Sequence, residues 1–374
     1  SSSTALWLTV WGIGIIGSIY AIFGGLKAVA VSDTINAIGL LIGGLLIPVF
    51  GLMAIGDGGI INGLETLVDA NPEKFNSIGG PDASVPFSTI FTGMMLVQLF
   101  YWGTNQAIIQ RALAAKNLRE GQKGLMLAAF IKILGPIIVV LPGIIAWHMF
   151  QGDLENADQA YPALVNAVLP PVLTGFFAAV LFGAILSSFN SALNSSVTLF
   201  GIDIYKQYFN PKASEAKVVK QGKRFGIFLA IGAMLIAPFI ANAPQGLFGY
   251  LQEVNGSYSI PILTIVIVGY LTKRIPAIAA KVAIFSGVGF YLIYLGLKYF
   301  VVGEDALPHY LHVMAILFVL NVIIMFVIGK WKPRIEPFIL DYTRQVDIQP
   351  WKLVKPVGLG IVVLVVFIYA YFAQ

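Results

Sequence analysis

The sequence predicts an all-α polytopic membrane protein, and three observations carry this prediction. The 374 residues are 58% hydrophobic. Only 11% of them are charged, whereas a soluble domain carries about 25%. The mean hydropathy is +0.85. The partner of such a chain is a lipid bilayer. The net charge of +5 would suggest nucleic acid only in a soluble protein, so we expect no nucleic-acid partner.

The apolar residues are arranged in runs that are long enough to cross a bilayer. A helix needs about 20 mostly apolar residues for this, and about ten such runs can be read along the chain. They are centred near Gly14, Leu45, Met95, Pro136, Ala184, Ala233, Ile262, Gly289, Leu320 and Leu364.

The charged residues alternate between the connections of these runs. The basic connections hold Lys27, Arg111, Lys116, Arg119, Lys123, Lys206, Lys212, Lys217, Lys220, Lys223, Arg224, Lys273, Arg274, Lys281, Lys330, Lys332, Arg334, Arg344, Lys352 and Lys355. The opposite connections hold Asp57, Glu65, Asp69, Glu73, Asp82, Asp153, Glu155, Asp158, Glu304 and Asp305. Because basic connections stay in the cytoplasm, the pattern predicts that both ends of the chain face outside.

One lysine lies inside an apolar run. Lys132 follows Gly124 by eight residues, so it lies about 12 Å into the bilayer. A charged side chain at that depth is costly and usually faces a polar cavity, where it can bind a solute. The alternative is that its long side chain reaches the cytoplasmic rim.

A second run carries polar residues together with helix-weakening ones. In LQEVNGSYSIP, Gln252 precedes Gly256 and Pro261, and this composition predicts an interrupted helix. Interrupted helices line cavities or binding sites in transporters. The alternative is a simple kink.

Hydroxyl groups mark the run around Ala184. Ser187 and Ser188 could supply the oxygen ligands that a sodium ion prefers, or they could serve close helix packing.

Asp33 follows the first basic turn, where we expect it to cap the second span. Near residue 100, the aromatic residues Tyr101 and Trp102 adjoin a polar stretch and a basic helix-like segment.

Several functions have no motif to support them. There is no cysteine and no metal-ligand or P-loop spacing, so the residues support neither an enzyme nor an ATP-driven pump. The GIGIIG string from Gly12 to Gly17 lies inside the first apolar run and predicts close helix packing rather than a dinucleotide site.

Four segments resemble the sodium/sugar branch of the solute:sodium symporters. They are FYWGTNQAIIQRALAAKNL, AAFIKILGPIIVVLPGI, AILSSFNSALNS and DIYKQY. The resemblance implies a LeuT-like inverted-repeat fold, with about ten of its fourteen transmembrane helices in residues 1–374 as a single transporter domain. The first four helices would precede Ser1, so this chain alone would neither concentrate a sugar nor hold sodium tightly.

The resemblance also implies sodium-coupled symport of a monosaccharide such as glucose or galactose across the cell membrane. Lys132, Gln252 and Gln98 would bind the sugar by hydrogen bonds. Gln98 stands where the galactose transporter has an asparagine, which leaves the sugar open. Tyr101 would stack beneath the sugar as an inner gate, with Trp102 beside it.

The remaining implied roles concern the outer gate and the ion. Phe248 would form the outer gate over the sugar. The carbonyl of Ala184 and the hydroxyls of Ser187 and Ser188 would bind sodium, and Asp33 would lie on the ion exit path. Other substrates remain open, including inositol, sialic acid, an amino acid such as proline and an anion, as does a sugar sensor that transports nothing.

Overall fold

The computed structural model describes residues 2–81, 83, 85–151, 153–154, 157–240, 246–303, 306–339 and 346–373, without the side chains of 2, 3 and 23–30. Asp82, Glu155, Glu304, Asp305 and Arg344 from the charge pattern lie outside this part, as does the side chain of Lys27.

The described residues form α-helices and no strand, which confirms the all-helical prediction. The helices are α1 Ser2–Ile55, α2 Ile60–Ala70, α3 Gly93–Gly103, α4 Gln106–Leu113, α5 Leu118–Lys132, α6 Leu141–Phe150, α7 Ala160–Val168, α8 Pro171–Leu199, α9 Glu215–Ile240, α10 Gly246–Leu271, α11 Ala277–Leu297, α12 Tyr310–Trp331 and α13 Val354–Tyr371. Three π-helical segments, Pro136–Val140, Phe200–Phe209 and Lys298–Val302, adjoin α6, α8 and α11.

Nine helical runs within the described residues are long and apolar enough to cross a membrane. Each contains one of the predicted centres. The predicted run around Met95 differs because α3 has 11 residues and spans only about 16 Å. It ends at Thr104, and the side chain of Asn105 accepts a hydrogen bond from the Ala107 N–H to start α4. This polar pair therefore divides the predicted span.

The chain forms two compact units. The first comprises Ser1–Asn76, Gln122–Leu247 and Lys352–Tyr371, and the second comprises Ser77–Gly121, Phe248–Trp351 and Phe372–Gln374.

In the first unit, α1 has two arms that run in opposite directions along α8. Along Thr4–Ile22, Gly17 packs on Phe189, and Ile22 lies in one cluster with Leu193. Along Val31–Ile55, Asn36 donates a hydrogen bond to the Gly183 carbonyl at 3.1 Å, and Gly43 packs on Phe177. The residue numbers on α8 rise along the first arm and fall along the second, so the chain reverses between the arms.

The prediction that Asp33 caps the second span is wrong. Residue 33 lies inside the second arm of α1, with helical backbone on both sides of it, so it is not the residue that precedes a helix. Close packing around the GIGIIG string is confirmed, because an added Cβ at Gly14 would lie 2.4 Å from Met234.

In the second unit, α10 packs between α11 and α12. An added Cβ at Gly256 would lie 2.0 Å from Met314 and 2.7 Å from the Tyr291 hydroxyl. Pro261 fills the space beside Gly287, where an added Cβ would lie 2.6 Å from the proline ring. α10 is therefore antiparallel to α11.

The predicted interruption of the seventh span is wrong, because α10 is continuous from Gly246 to Leu271. Gly256 allows the close approach of neighbouring side chains, and Pro261 is accommodated against a glycine of α11. The residues that weaken an isolated helix here serve packing instead.

Candidate functional site

Three of the predicted solute residues lie on one stripe of α3. Gln98, Tyr101 and Trp102 are spaced i, i+3 and i+4, and side chains at that spacing are neighbours on a helix surface. All three are exposed, whereas Val97 and Phe100 on the adjoining stripe are buried. The rings of Tyr101 and Trp102 meet edge to face at 5.3 Å. Together they present an aromatic surface beside an amide.

The other two residues of the second unit lie on α10. Phe248 and Gln252 are one turn apart. Phe248 is 66% exposed, and Gln252 is partly buried. α10 adjoins α3 through the rings of Phe100 and Tyr258, which meet edge to face at 5.9 Å. The buried stripe of α3 therefore faces α10, the helix that carries the predicted outer gate.

Lys132 lies in the first unit, at the last residue of α5 and within the apolar helical run Leu118–Phe150. It is exposed. The helix tightens there, since the N–H groups of Ile133 and Leu134 bond to carbonyls three residues back. Pro136 has no N–H to offer the Lys132 carbonyl, so the regular helix ends at this lysine. The structure thus has an interrupted helix beside the predicted solute-binding cation.

The predicted sodium residues share one face of α8. Ala184, Ser187 and Ser188 are spaced i, i+3 and i+4 along a continuous helix. Ser187 is partly buried and Ser188 is exposed. Within the described part of the chain, neither hydroxyl has a hydrogen-bond partner. The backbone at Ala184 is helical, so its carbonyl belongs to a continuous helix. Two hydroxyls and one carbonyl are donors that suit a hard cation such as sodium.

The register of α1 against α8 brings Asp33 to the level of these serines. Asn36 bonds to Gly183 and Gly39 packs on Val180. The two helices are therefore antiparallel here, and each residue forward along α1 corresponds to one residue back along α8. On this register Asp33 is level with Leu186, next to Ser187. An acidic side chain one turn from an α1–α8 contact would attract a cation toward this face.

Two contacts place the helical segment that follows Lys132 along the second arm of α1. Gly44 packs on Ile138 and Gly51 packs on Ile145, so the two segments run parallel there.

An ion pair in the second unit was missed from the sequence. Glu253 and Lys298 are 2% and 7% exposed, and the lysine Nζ lies 2.8 Å from Glu253 Oε1. The sequence did contain a signal for this lysine. Twenty of the 23 basic residues lie in the basic connections, and Lys298 is one of the three that do not. It lies inside an apolar run.

Comparisons with known proteins agree with this fold. The family described as "Sodium:solute symporter family" matches residues 2–287. An uncharacterized symporter of Escherichia coli, YidK, is 49% identical over the whole chain, which spans 64% of that protein. A sodium/glucose cotransporter of Vibrio parahaemolyticus is 36% identical over 77% of this chain and 56% of its own length.

Two further proteins extend the comparison. The human sodium/myo-inositol cotransporter 2 is 31% identical over 72% of this chain and 44% of its own length. The solved structure of a Na+-coupled sialic acid symporter, in a substrate-bound outward-open state, shares the fold with a TM-score of 0.72 at 21% identity. The match covers 89% of this chain and 68% of that one. The chain thus spans about half to two thirds of the length of these relatives, and the expected LeuT-like fold is confirmed.

Proposed function

Because the chain belongs to the sodium:solute symporter family, we propose that it is the greater part of a sodium-coupled symporter for a hydroxyl-rich solute of monosaccharide size. This family consists of transporters and not enzymes. The observation that carries the proposal is the pair of partner-free hydroxyls of Ser187 and Ser188 in the described part of an apolar helix, level with the carboxylate of Asp33.

Sodium supplies the driving force in this proposal. The ion binds at the Ala184 carbonyl and the two serine hydroxyls, and Asp33 guides its release toward the cytoplasm. Entry of one positive charge down the membrane potential is worth about 2.3 kcal/mol per 100 mV. Coupling requires that ion and solute both favour the same conformation by differential affinity.

The solute is recognised by hydrogen bonds and by aromatic surface. Lys132 donates up to three hydrogen bonds, and Gln98 and Gln252 both donate and accept, which suits a solute with several hydroxyl groups. Tyr101 and Trp102 supply an aromatic face for the apolar face of a sugar ring, and Phe248 closes the outer side. The charge pattern orients both ends of the chain to the outside of the cell membrane.

The identity of the solute is the finer part of the proposal. One relative is named for glucose and another for myo-inositol, and both solutes are polyhydroxylated rings. We therefore propose glucose or galactose first and inositol second. A sialic acid adds a carboxylate, which Lys132 could pair with. An amino acid such as proline is a poorer fit to two amides and an aromatic floor.

Uptake into proteoliposomes tests the proposal. The protein that carries this chain is reconstituted, and uptake of radiolabelled glucose, galactose, myo-inositol, N-acetylneuraminate and proline is followed under an inward sodium gradient. The matched control replaces sodium by choline. We expect glucose or galactose to accumulate above its external concentration with sodium only. Binding of a sugar without accumulation would indicate a sensor, and sodium-driven accumulation of proline alone would overturn the assigned substrate class.

A further inference from the structure

A buried polar cluster surrounds Glu253 on α10. One oxygen of its carboxylate accepts a hydrogen bond from Lys298 at 2.8 Å, and the other accepts one from the Tyr299 hydroxyl at 2.5 Å. The lysine also lies 4.9 Å from the centre of the Tyr299 ring. Both charged groups are therefore satisfied inside an apolar part of the second unit.

The backbone of α10 is held at the same residue. The hydroxyl of Tyr291, which is fully buried, donates a hydrogen bond of 2.8 Å to the Glu253 carbonyl. Gly256 makes this approach possible, since an added Cβ there would lie 2.7 Å from the same hydroxyl. Glu253 is thus fixed through its side chain and through its main chain.

The partner residues lie where α11 changes its geometry. The α-helix ends at Leu297, and the π-helical segment Lys298–Val302 follows. In this segment two consecutive side chains, Lys298 and Tyr299, reach the two oxygens of one carboxylate. π-Helical turns inside α-helices occur frequently at functional sites.

Stability alone does not account for such a cluster. Replacing a buried ion pair by apolar residues of similar volume is often neutral or stabilising, whereas removing one partner is costly. The ion pair instead fixes the direction in which the Glu253 side chain points from α10. Apolar packing constrains the rotation of a helix less strictly than hydrogen bonds to one carboxylate do.

We propose that Glu253, Lys298 and Tyr299 are positioning residues for solute recognition, because they fix the rotation of the helix that presents Gln252 and Phe248. Gln252 precedes Glu253 directly, so the direction of one side chain sets that of the other. Phe248 lies one turn earlier than Gln252 on the same face. This inference rests on the proposed function for its role in transport, but the fixed rotation can be measured without any solute.

The first measurement uses the absence of cysteine from this chain. Phe248→Cys introduces one thiol on the exposed face of α10, and its rate of labelling by N-ethylmaleimide reports the local position of the helix. The rate is compared between the intact cluster and the variants Tyr299→Phe, Lys298→Met and the double variant Glu253→Leu/Lys298→Met. Lys281→Met on the exposed end of α11 and Tyr270→Phe, at a 76% exposed tyrosine of α10, are the matched controls.

We expect the cluster variants to change the labelling rate at least about threefold, while the controls stay within about 1.5-fold, because the controls leave the hydrogen bonds to the Glu253 carboxylate intact. An unchanged rate in all three cluster variants would overturn the inference. The double variant is the informative one, since it removes both charges and retains the fold even where Lys298→Met alone does not.

The second measurement is the apparent KM for sodium-driven uptake of radiolabelled glucose and of myo-inositol. In the double variant without Phe248→Cys, we expect KM to rise about fivefold or more, while the maximal rate per folded protein changes less than about twofold. A double variant with normal KM contradicts the positioning role and leaves only a structural one. If the unmodified protein takes up neither probe with sodium, the proposed function fails for these solutes, and the labelling result still decides whether the cluster fixes α10.

Discussion

Lys132 and Lys298 both lie within apolar helical runs of the described residues, and their surroundings differ. Lys132 is exposed at the point where α5 ends ahead of Pro136. Lys298 is buried and paired with Glu253 where α11 becomes π-helical. The first lysine is exposed and is proposed to bind the solute, whereas the second donates a hydrogen bond to a buried carboxylate. The two lysines therefore differ in burial and in their partners, and we expect them to differ in what their removal changes.

The helices around the two lysines differ in the same way. The run near Lys132 contains Gly135 and Pro136, and it loses its regular backbone. α10 contains Gly256 and Pro261, and it stays continuous. The difference lies in the neighbours: an added Cβ at Gly135 would meet no atom within 4 Å, whereas one at Gly256 would collide with Met314. Neighbouring side chains fill the space around Gly256 and leave it open around Gly135.

Removing the buried lysine is the strongest test of this comparison. Lys298→Met leaves the Glu253 carboxylate buried without its cation, and we expect a loss of about 3–5 kcal/mol in the free energy of unfolding. Lys132→Met, at an exposed site, should change that free energy by less than about 0.5 kcal/mol. Unfolding of the purified protein in detergent measures both. Equal losses for the two variants would contradict the distinction.

Transport should respond in the opposite order. Lys132→Met removes charged hydrogen-bond donors worth about 1.5–3 kcal/mol, which corresponds to an increase of about 10- to 150-fold in the apparent KM for the solute. Lys74→Met is the matched control, because it removes a lysine outside the candidate spans. A normal KM in Lys132→Met would show that this lysine does not contact the solute.

The glycines sharpen the comparison of the two helices. Gly256→Ala forces apart a packed contact and displaces the Tyr291 hydroxyl, and we expect a loss of about 1–3 kcal/mol. Gly135→Ala and Gly289→Ala, which have open space around them, should be neutral or stabilising by up to about 1 kcal/mol. Thermal unfolding of the three variants in the same detergent measures this. A stable Gly256→Ala would mean that α10 is less tightly packed than its contacts indicate.

The smallest expected effect concerns the polar pair that ends α3. Asn105→Ala removes the side-chain cap of α4 and should cost about 1 kcal/mol of stability. Asn117→Ala is a suitable control, because Asn117 bonds to the Glu120 N–H at an exposed helix start. Urea unfolding of both variants compares the two caps. No change in Asn105→Ala would indicate that the break at Thr104 is held by other contacts.

Hydropathy predicted most of this architecture, because the requirement for about 20 apolar residues is local and strong. Each of the nine described spans contains a predicted centre. The helix stops were less predictable. In the sequence, Asp33 is typical of a helix cap and Gly256 is typical of a helix break, yet both lie inside helices. Contacts with residues distant in the sequence decide whether a helix ends at such a position.

The candidate site was predictable in part. Ser187, Ser188 and Lys132 were identified as polar residues in apolar runs, and the resemblance to a family supplied their expected roles. The register that brings Asp33 level with Ser187 required the contacts of Asn36 and Gly39 with α8. The partnership of Glu253 with Lys298 also required coordinates, since 45 residues separate the two in the sequence.

The sodium dependence of uptake tests the central claim most directly. Initial rates of radiolabelled glucose uptake are measured against sodium concentration for the unmodified protein and for Ser187→Ala/Ser188→Ala, with Ser196→Ala on the same helix as control. We expect the unmodified protein and the control to saturate with sodium, and the double variant to need about tenfold more. Equal uptake in sodium and choline, or an unchanged sodium curve in the double variant, would contradict the account.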